Sequence, residues 1–165
     1  MIPIKVLVPS GVLGLGFDLE ALNNGVKNNP DIISIDGGST DSGPYSLGSG
    51  TSKYSRAAIK AEWKSRMIAR TKANVPLVIG SCGTCGTNRM VDWMENITIE
   101  LAEELNQNIK IAKLYCQQEK NFIKKNFQLS KIFPLNPAPM LNDRLIEEMT
   151  NIVALAGAEQ IQECI

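Results

Sequence analysis

Two glycine-rich segments of this chain combine residue types that favour anions. Residues 36–44 begin with Asp36 and follow the apolar run 32–35, and residues 80–88 follow the apolar run 76–79. An apolar run that ends in Gly and Ser or Thr, with a helical pattern beyond it, is typical of a strand, a tight turn and a helix start. In a parallel sheet such turns meet at the carboxyl edge, where their backbone N–H groups favour anions. The two segments therefore predict one shared pocket.

Three carboxylates are the candidates for acid–base catalysis. The chain contains no histidine, which excludes Ser-His-Asp and Cys-His catalysis within it. Asp36 ends the second apolar run, Asp41 lies in the loop that follows, and Glu119 comes shortly after the apolar run 109–115. Ordinary structural roles remain open, because aspartates cap turns and Glu119 can be a first-turn helix carboxylate. We predict that Asp36 is the main acid or base.

Hydroxyl groups, glycine N–H groups and two arginines are the candidates for ligand binding. Arg56 and Arg89 follow the glycine-rich regions and can clamp an anion, although Arg89 is also compatible with a solvated helix start. Residues 48–52 suit a phosphate or carboxylate, or else a flexible linker with a helix cap. They lack the Gly-Lys-Ser/Thr end of a P-loop, which excludes that kind of nucleoside triphosphate hydrolysis. The candidates are Gly37, Gly38, Ser39, Thr40, Tyr45, Ser49, Arg56, Ser81, Gly83, Thr84 and Arg89.

Two further motifs have both a chemical and a structural interpretation. Cys82 and Cys85 form a Cys-x-x-Cys at a predicted helix start, where a lowered thiol pKa would permit redox chemistry. Alternatively, both are small residues in a glycine turn. No second Cys-x-x-Cys completes a zinc site, and we predict no metal site. Residues 11–16 have the spacing Gly-x-x-Gly-x-Gly, which is not the dinucleotide fingerprint and favours a plain turn over a nucleotide site.

The elements that must position these residues alternate between strands and helices. Strands are predicted over 4–8, 32–35, 76–79 and 109–115, the first of them buried. Helices are predicted over 17–22, 55–72, 88–105, 118–127 and 141–156, the last with Asn142 as N-cap and Gly157 as its C′ residue. Trp63 and Trp93 are predicted to lie in the core. This order indicates an α/β domain over residues 1–165, with a parallel sheet of about four or more strands flanked by helices in a Rossmann-like, three-layer arrangement.

The charge balance limits the partners. Lys and Arg together number 17, as do Asp and Glu, so the net charge is zero. A zero net charge does not indicate the excess of basic residues that is typical of proteins that bind nucleic acid or an anionic membrane. The apolar N-terminal run is too short for a secretory core or a membrane span. We therefore predict a cytoplasmic protein with free thiols.

Four segments together resemble the N-terminal part of the acyclic terpene utilisation family. They are the Gly-x-Gly-Phe of residues 14–17, the Asp-Gly-Gly-Ser-Thr-Asp-Ser-Gly-Pro-Tyr of 36–45, the Leu-Gly-Ser-Gly of 47–50 and the glycine-rich segment 79–86. The resemblance spans most of residues 4–160. It implies an enzyme-like α/β scaffold and an N-terminal half or one subunit of a larger protein. It also implies smaller residues such as Ala in place of Cys82 and Cys85, which weakens a thiol mechanism.

We therefore predict an enzyme, or part of one, that binds a small carboxylate or its acyl thioester. Lyase, isomerase or hydratase chemistry fits a site without histidine or a metal cage. No cofactor is evident, and a nucleotide or an acyl-CoA is compatible with the pattern. The alternatives are a non-catalytic ligand-binding or assembly subunit and, more weakly, a thiol redox protein. The predicted partners are a small anion and either further copies of this chain or a partner chain that supplies a C-terminal half.

Overall fold

The computed structural model describes residues 3–38 and 43–165, which form a mixed α/β fold around a three-stranded parallel sheet. The strands are β1 (Val6–Leu7), β2 (Ile32–Asp36) and β3 (Leu77–Gly80), and their spatial order is β1-β2-β3. The helices in these described ranges are α1 (Leu19–Lys27), α2 (Tyr45–Ser49), α3 (Arg56–Ala73), α4 (Asn88–Glu104), α5 (Lys120–Gln128), α6 (Asp143–Glu148) and α7 (Ala158–Gln162).

The core lies on one face of this sheet. Ile33 and Ile35 of β2 are two residues apart, so their side chains point to the same face, and both are buried. Ile33 packs with apolar residues of α1 and α3, and Ile35 packs with apolar residues of α3 and α4. Helices α1, α3 and α4 therefore cover the same face. The chain continues from the carboxyl end of β2 through α2 to α3, and from the carboxyl end of β3 to α4.

Local caps fix where the helices before and after β2 begin. The Asp18 carboxylate accepts hydrogen bonds from the N–H groups of Glu20 and Ala21, at 2.8 and 3.0 Å, so α1 begins at Leu19 rather than at residue 17. The Ser55 hydroxyl accepts from the N–H of Ala58 at 3.2 Å and starts α3 at Arg56. These side-chain caps satisfy N–H groups that the helix itself leaves unpaired.

The prediction of a strand over residues 109–115 is wrong, because the segment forms no ladder with β3. It runs antiparallel to α4 instead: Lys113 pairs with Glu95 and Asp92, and the Gln117 side chain accepts from the N–H of Asn88. Carboxylates of α4 thus hold the polar side chains of a segment whose apolar spacing resembled a strand. Within the described residues, the sheet has three strands rather than the four or more that we predicted.

Two further predictions are wrong: the end of the helix over 141–156 and the place of Gly157. The helix predicted over 141–156 ends at Glu148, although Asn142 caps it as expected, with its side chain accepting from the N–H of Leu145 at 2.9 Å. Residues 149–157 leave the helix because the side chains of Thr150 and Asn151 donate to carbonyls of the α2 segment, at 2.6 and 2.7 Å. Gly157 consequently precedes α7 instead of ending a longer helix.

The first strand is shorter and more exposed than predicted. Only Val6 and Leu7 pair with β2, while Ile4, Val6 and Val8 stay 76%, 57% and 57% exposed. These three side chains alternate with Leu7, which packs toward α1, so they point to the face of the sheet opposite the core helices. Of the helices in the described chain, none combines the length and the apolar character that a bilayer crossing requires.

Candidate functional site

The loops that follow β2 and β3 lie against each other at the carboxyl edge of the sheet. Asp36 and Gly80 are register partners at the ends of the two strands. Beyond them, the N–H of Gly37 donates to the Gly80 carbonyl at 2.7 Å, and the N–H of Thr84 donates to the Gly37 carbonyl at 3.3 Å. Parallel pairing of the strands brings together two loops that are more than forty residues apart in the chain.

The contact between these loops is too close to admit a ligand between the described residues. A Cβ added at Gly37 would lie 2.5 Å from the Gly80 carbonyl oxygen, and one at Gly38 would lie 2.4 Å from the Cα of Thr84. Both glycines are therefore required for backbone packing, and any pocket at this edge lies beside the contact. The predicted residues Ser39, Thr40 and Asp41 lie outside the described residues.

The second loop has a strained backbone. Ser81, Gly83 and Thr84 have φ values of 47°, 58° and 73°, in the region that favours glycine. Thr84 is β-branched and buried, so its conformation is costly unless the surroundings hold it. Its hydroxyl oxygen accepts a hydrogen bond from the N–H of Lys53 at 3.1 Å, which ties this loop to the segment that leads into α3.

An open groove of about 560 Å³ lies beside the two loops, between the first turns of α4 and the segment that leads into α3. Both of the predicted anion-binding arginines, Arg56 and Arg89, line it. The complete lining is Thr51, Ser52, Arg56, Arg89, Met90, Asp92, Trp93 and Asn96. Trp63 is buried in the core as predicted, whereas Trp93 is only half-buried: it packs against the core and also lines the groove.

The electrostatics of the groove favour a negative ligand. Helices α3 and α4 run in the same direction, since Arg56 pairs with Glu100 at 2.6 Å and Lys60 with Glu104 at 2.6 Å. Both N-termini, with their partial positive charge, therefore face the carboxyl edge of the sheet. The lining itself carries two guanidinium groups and one carboxylate, that of Asp92.

The two arginines and the aspartate are held by different partners. Arg56 is half-exposed in its ion pair with Glu100, and a guanidinium N–H of Arg89 donates to the Gly50 carbonyl. Hydrogen bonds from the Tyr115 hydroxyl and then from Lys113 lower the pKa of Asp92, so this carboxylate stays charged. A carbonyl does not neutralise a guanidinium, so Arg89 keeps its full positive charge.

Asp36 does not line the groove. Its carboxylate accepts from the N–H of Gly38 at 3.0 Å, in a local turn, and is part of the loop contact rather than of the groove wall. Gly38 packs on Thr84, which binds Lys53, the neighbour of Ser52 in the groove. A ligand in the groove would have to extend across this link to reach Asp36.

Other predicted residues are distributed around the site. Tyr45 begins α2 and is largely exposed, and the Ser49 hydroxyl lies 2.6 Å from that of Thr51 in the groove wall. Ser81 and Gly83 form the strained turn before α4, where Gly83 packs against Met90. Glu119 lines a separate cavity of about 400 Å³ with Lys120 and Glu147, so the structure separates it from Asp36 and the arginines.

A network of amide side chains behind the groove was missed by the sequence analysis. The Gln117 side chain accepts from the N–H of Asn88 at 3.1 Å and donates to the side chain of Asn151 at 3.2 Å. Asn151 donates in turn to the Leu47 carbonyl at 2.7 Å, which fixes the turn that presents Gly50 to Arg89. No local pattern predicts this network, because its members come from four separate parts of the chain.

Trp93 and Asn96 could have been found from the sequence. They follow Arg89 by four and seven residues, so all three share one stripe of α4. Once Arg89 is predicted to contact a ligand, helical spacing adds the other two.

The cysteine pair lacks the features of a reactive thiol. Cys82 and Cys85 are unpaired, and Cys85 is buried, with its sulfur 3.6 Å from the Thr87 hydroxyl. Burial raises the pKa of Cys82 to about 11, with a smaller contribution from Cys85. This is opposite to the lowering that we expected at a helix start, and it leaves Cys82 protonated at neutral pH.

The thiol pKa gives a direct chemical test. We expect the alkylation rate of Cys82 with iodoacetamide to rise about tenfold per pH unit from pH 7 to 10, because only the thiolate reacts. A free cysteine levels off above about pH 8.5. Peptide mass spectrometry of the native protein follows Cys82 separately from the other thiols. A plateau of the Cys82 rate below pH 9 would contradict its raised pKa and restore the redox alternative.

The glycine loop before α1 is filled by the protein itself. The Glu62 carboxylate of α3 accepts hydrogen bonds from the N–H groups of Gly14 and Gly16, at 3.0 and 2.6 Å. It also pairs at 3.4 Å with Arg66, which is fully buried, donates to the Ser10 hydroxyl at 2.9 Å and stacks on the ring of Phe17 at 4.2 Å. A nucleotide phosphate would have to displace Glu62 to use these N–H groups.

Comparisons with protein-family models, curated proteins and solved structures give no match to this chain. Over residues 3–38 and 43–165, no three Cys, Asp or Glu side chains lie close enough together to hold a metal ion. The candidate site therefore depends on the geometry of the groove.

Proposed function

We propose that this protein binds a small carboxylate, or the acyl thioester of one, in the groove between α4 and the segment before α3. The observation that carries the proposal is the convergence of Arg56 and Arg89 on one open groove at the carboxyl edge of the sheet. A guanidinium presents a planar fork of N–H donors that matches a carboxylate. The hydroxyl group of Thr51 adds a polar group along the same wall.

We further propose that the bound carboxylate undergoes lyase, isomerase or hydratase chemistry, with Asp36 as the acid or base. Its place at the end of β2, linked to the groove through Gly38, Thr84 and Lys53, supports this role. A carboxylate at this position can take a proton from a ligand that extends from the arginines toward β2. Asp36→Asn removes this capacity and retains the hydrogen-bond acceptor for Gly38.

Titration of the intact protein with a panel of anions tests the binding step. Acetate, succinate, citrate, acetyl-CoA and inorganic phosphate are added at constant ionic strength, and tryptophan fluorescence is recorded. Trp93 lines the groove, whereas Trp63 is buried and donates to the Thr98 hydroxyl, so Trp93→Phe identifies the source of any signal. A response to a carboxylate that disappears in Trp93→Phe supports the proposal. The absence of a response to every anion, confirmed by calorimetry, contradicts it.

A non-catalytic assembly subunit is the second candidate, and the open face of the sheet favours it. Ile4, Val6 and Val8 expose apolar side chains on the face opposite α1 and α3. Parallel sheets normally bury both faces under helices. We propose that a further layer covers this face in the assembled protein and completes a Rossmann-like, three-layer arrangement with four or more strands. A cytoplasmic location and kinship with the acyclic terpene utilisation family stay predictions.

A further inference from the structure

Charged residues are partitioned by sign in the last third of the chain. Residues 106–137 contain six lysines and one glutamate, whereas residues 138–165 contain five acidic residues and one arginine. Some of these charges are satisfied inside the molecule, as in the pairs Lys124–Glu147 and Arg144–Glu148. Other charged side chains of both signs form no such pair in the part of the chain that the structure describes.

Four of these remaining charged side chains are exposed on the surface. In the part of the chain that the structure describes, Lys125, Lys131, Glu159 and Glu163 take part in no ion pair. All four are exposed. The basic pair lies on and just after α5, and the acidic pair lies on and just after α7. The two surfaces therefore have opposite charges.

Large apolar side chains accompany both sets of charges. Phe122, Lys125 and Leu129 are three and four residues apart, so they share one stripe on α5, where Phe122 and Leu129 are 57% and 56% exposed. On either side of the acidic pair in the sequence, Leu155 is 99% and Ile165 is 62% exposed. Exposed apolar groups beside unpaired charges are typical of an interaction surface, in which the apolar groups become buried and the charges set the partner.

We propose that this protein forms a homodimer in which the α5 stripe (Phe122, Lys125, Leu129 and the following Lys131) docks on the acidic segment 155–165 of a second copy. Charge complementarity identifies the occupant, because a copy of this chain presents the acidic, apolar counterpart of its basic, apolar stripe. A two-fold axis makes the same contact twice, once from each α5. Contacts of α5 with α6 within the chain hold this helix in place.

Paired charge reversals test the surface. Variant one carries Lys125→Glu and Lys131→Glu, and variant two carries Glu159→Lys and Glu163→Lys. Sedimentation and light scattering on the full chain distinguish the monomer of 18.0 kDa from a dimer of twice that mass. We expect the wild type to dimerise, with a dissociation constant that rises about tenfold or more between 50 and 500 mM salt. Each variant alone should be a monomer, because its two surfaces then carry the same sign.

Mixing the two variants distinguishes a broken interface from a misfolded protein. The acidic α5 of variant one faces the basic segment of variant two, and the reverse contact is also complementary, so the mixture should form a heterodimer. Glu103→Lys and Lys72→Glu, which change exposed charges on α4 and α3, should leave the wild-type dimer unchanged. A wild type that stays monomeric at about 100 µM, or a dimer that both variants retain, would overturn the proposal, as would monomeric variants that fail to associate when mixed.

Discussion

Replacing Glu62 with Leu should lower the free energy of unfolding by about 3–5 kcal/mol, because it leaves the fully buried Arg66 without its compensating charge. The substitution also removes the acceptor for two glycine N–H groups, those of Gly14 and Gly16. Burial already lowers the pKa of Arg66, and the charge of Glu62 opposes that effect. Urea denaturation, followed by far-ultraviolet circular dichroism, measures the loss.

A double variant isolates the charge from the packing. Glu62→Leu with Arg66→Met removes both charged groups, and it should recover more than half of the loss that the single variant shows. Glu62→Gln keeps an oxygen acceptor for the glycine loop and should be intermediate. Glu103→Gln, at an exposed position of α4, should change the free energy by less than about 0.5 kcal/mol. A double variant that is less stable than Glu62→Leu would show that the pair acts through packing alone.

The Glu62 contact also reaches the groove. Gly14, which Glu62 holds, lies directly under the ring of Tyr54, since a Cβ at Gly14 would be 2.5 Å from the Cγ of Tyr54. The Ser52 hydroxyl donates to the Tyr54 carbonyl at 3.0 Å and lines the groove. The glycine loop that resembled a ligand site therefore supports one wall of the candidate site instead of binding a ligand.

The sequence allowed the βα units to be predicted because each depends on local patterns. The cap at Ser55 and the apolar spacing after it place the start of α3 within one residue, and the runs 32–35 and 76–79 become β2 and β3. The segment 109–115 shows the limit of this approach. Its apolar spacing is compatible with a strand. In the structure, however, Lys113 and Tyr115 contact carboxylates of α4. Patterns within the segment cannot predict such a contact with a distant helix, so they cannot show that it forms in place of pairing with β3.

The residues of the candidate site likewise include some that the sequence could predict and others that it could not. Arg56 and Arg89 could be predicted because each follows a glycine-rich loop at the start of a helix, and parallel strands bring such loops to one edge. Gln117 and Asn151 could not, because Asn151 binds the carbonyl of a residue 104 positions away. Glu62 looks like an ordinary helical glutamate in the sequence, and only the fold shows that it occupies the glycine loop.

Replacing Arg89 with Met should weaken the binding of a carboxylate in the groove about tenfold to hundredfold. A hydrogen bond to a charged group contributes about 1.5–3 kcal/mol, and each 1.4 kcal/mol corresponds to a factor of ten in affinity. Arg56→Met should have a smaller effect, because Arg56 already shares its charge with Glu100. The double variant should bind no carboxylate measurably. Titration with whichever of acetate, succinate and citrate binds the wild type measures these differences through Trp93.

Two controls separate a specific site from general attraction of anions. Arg144→Met removes the same charge from α6, where the side chain is 86% exposed and outside the groove lining, and it should change the affinity less than twofold. Arg89→Lys keeps the charge but loses the planar fork, so it should retain only part of the affinity. An equal loss in Arg144→Met and Arg89→Met would mean that net charge alone attracts the anion. Unchanged affinity in the double variant would place the carboxylate outside the groove, and with it the chemistry that we assign to Asp36.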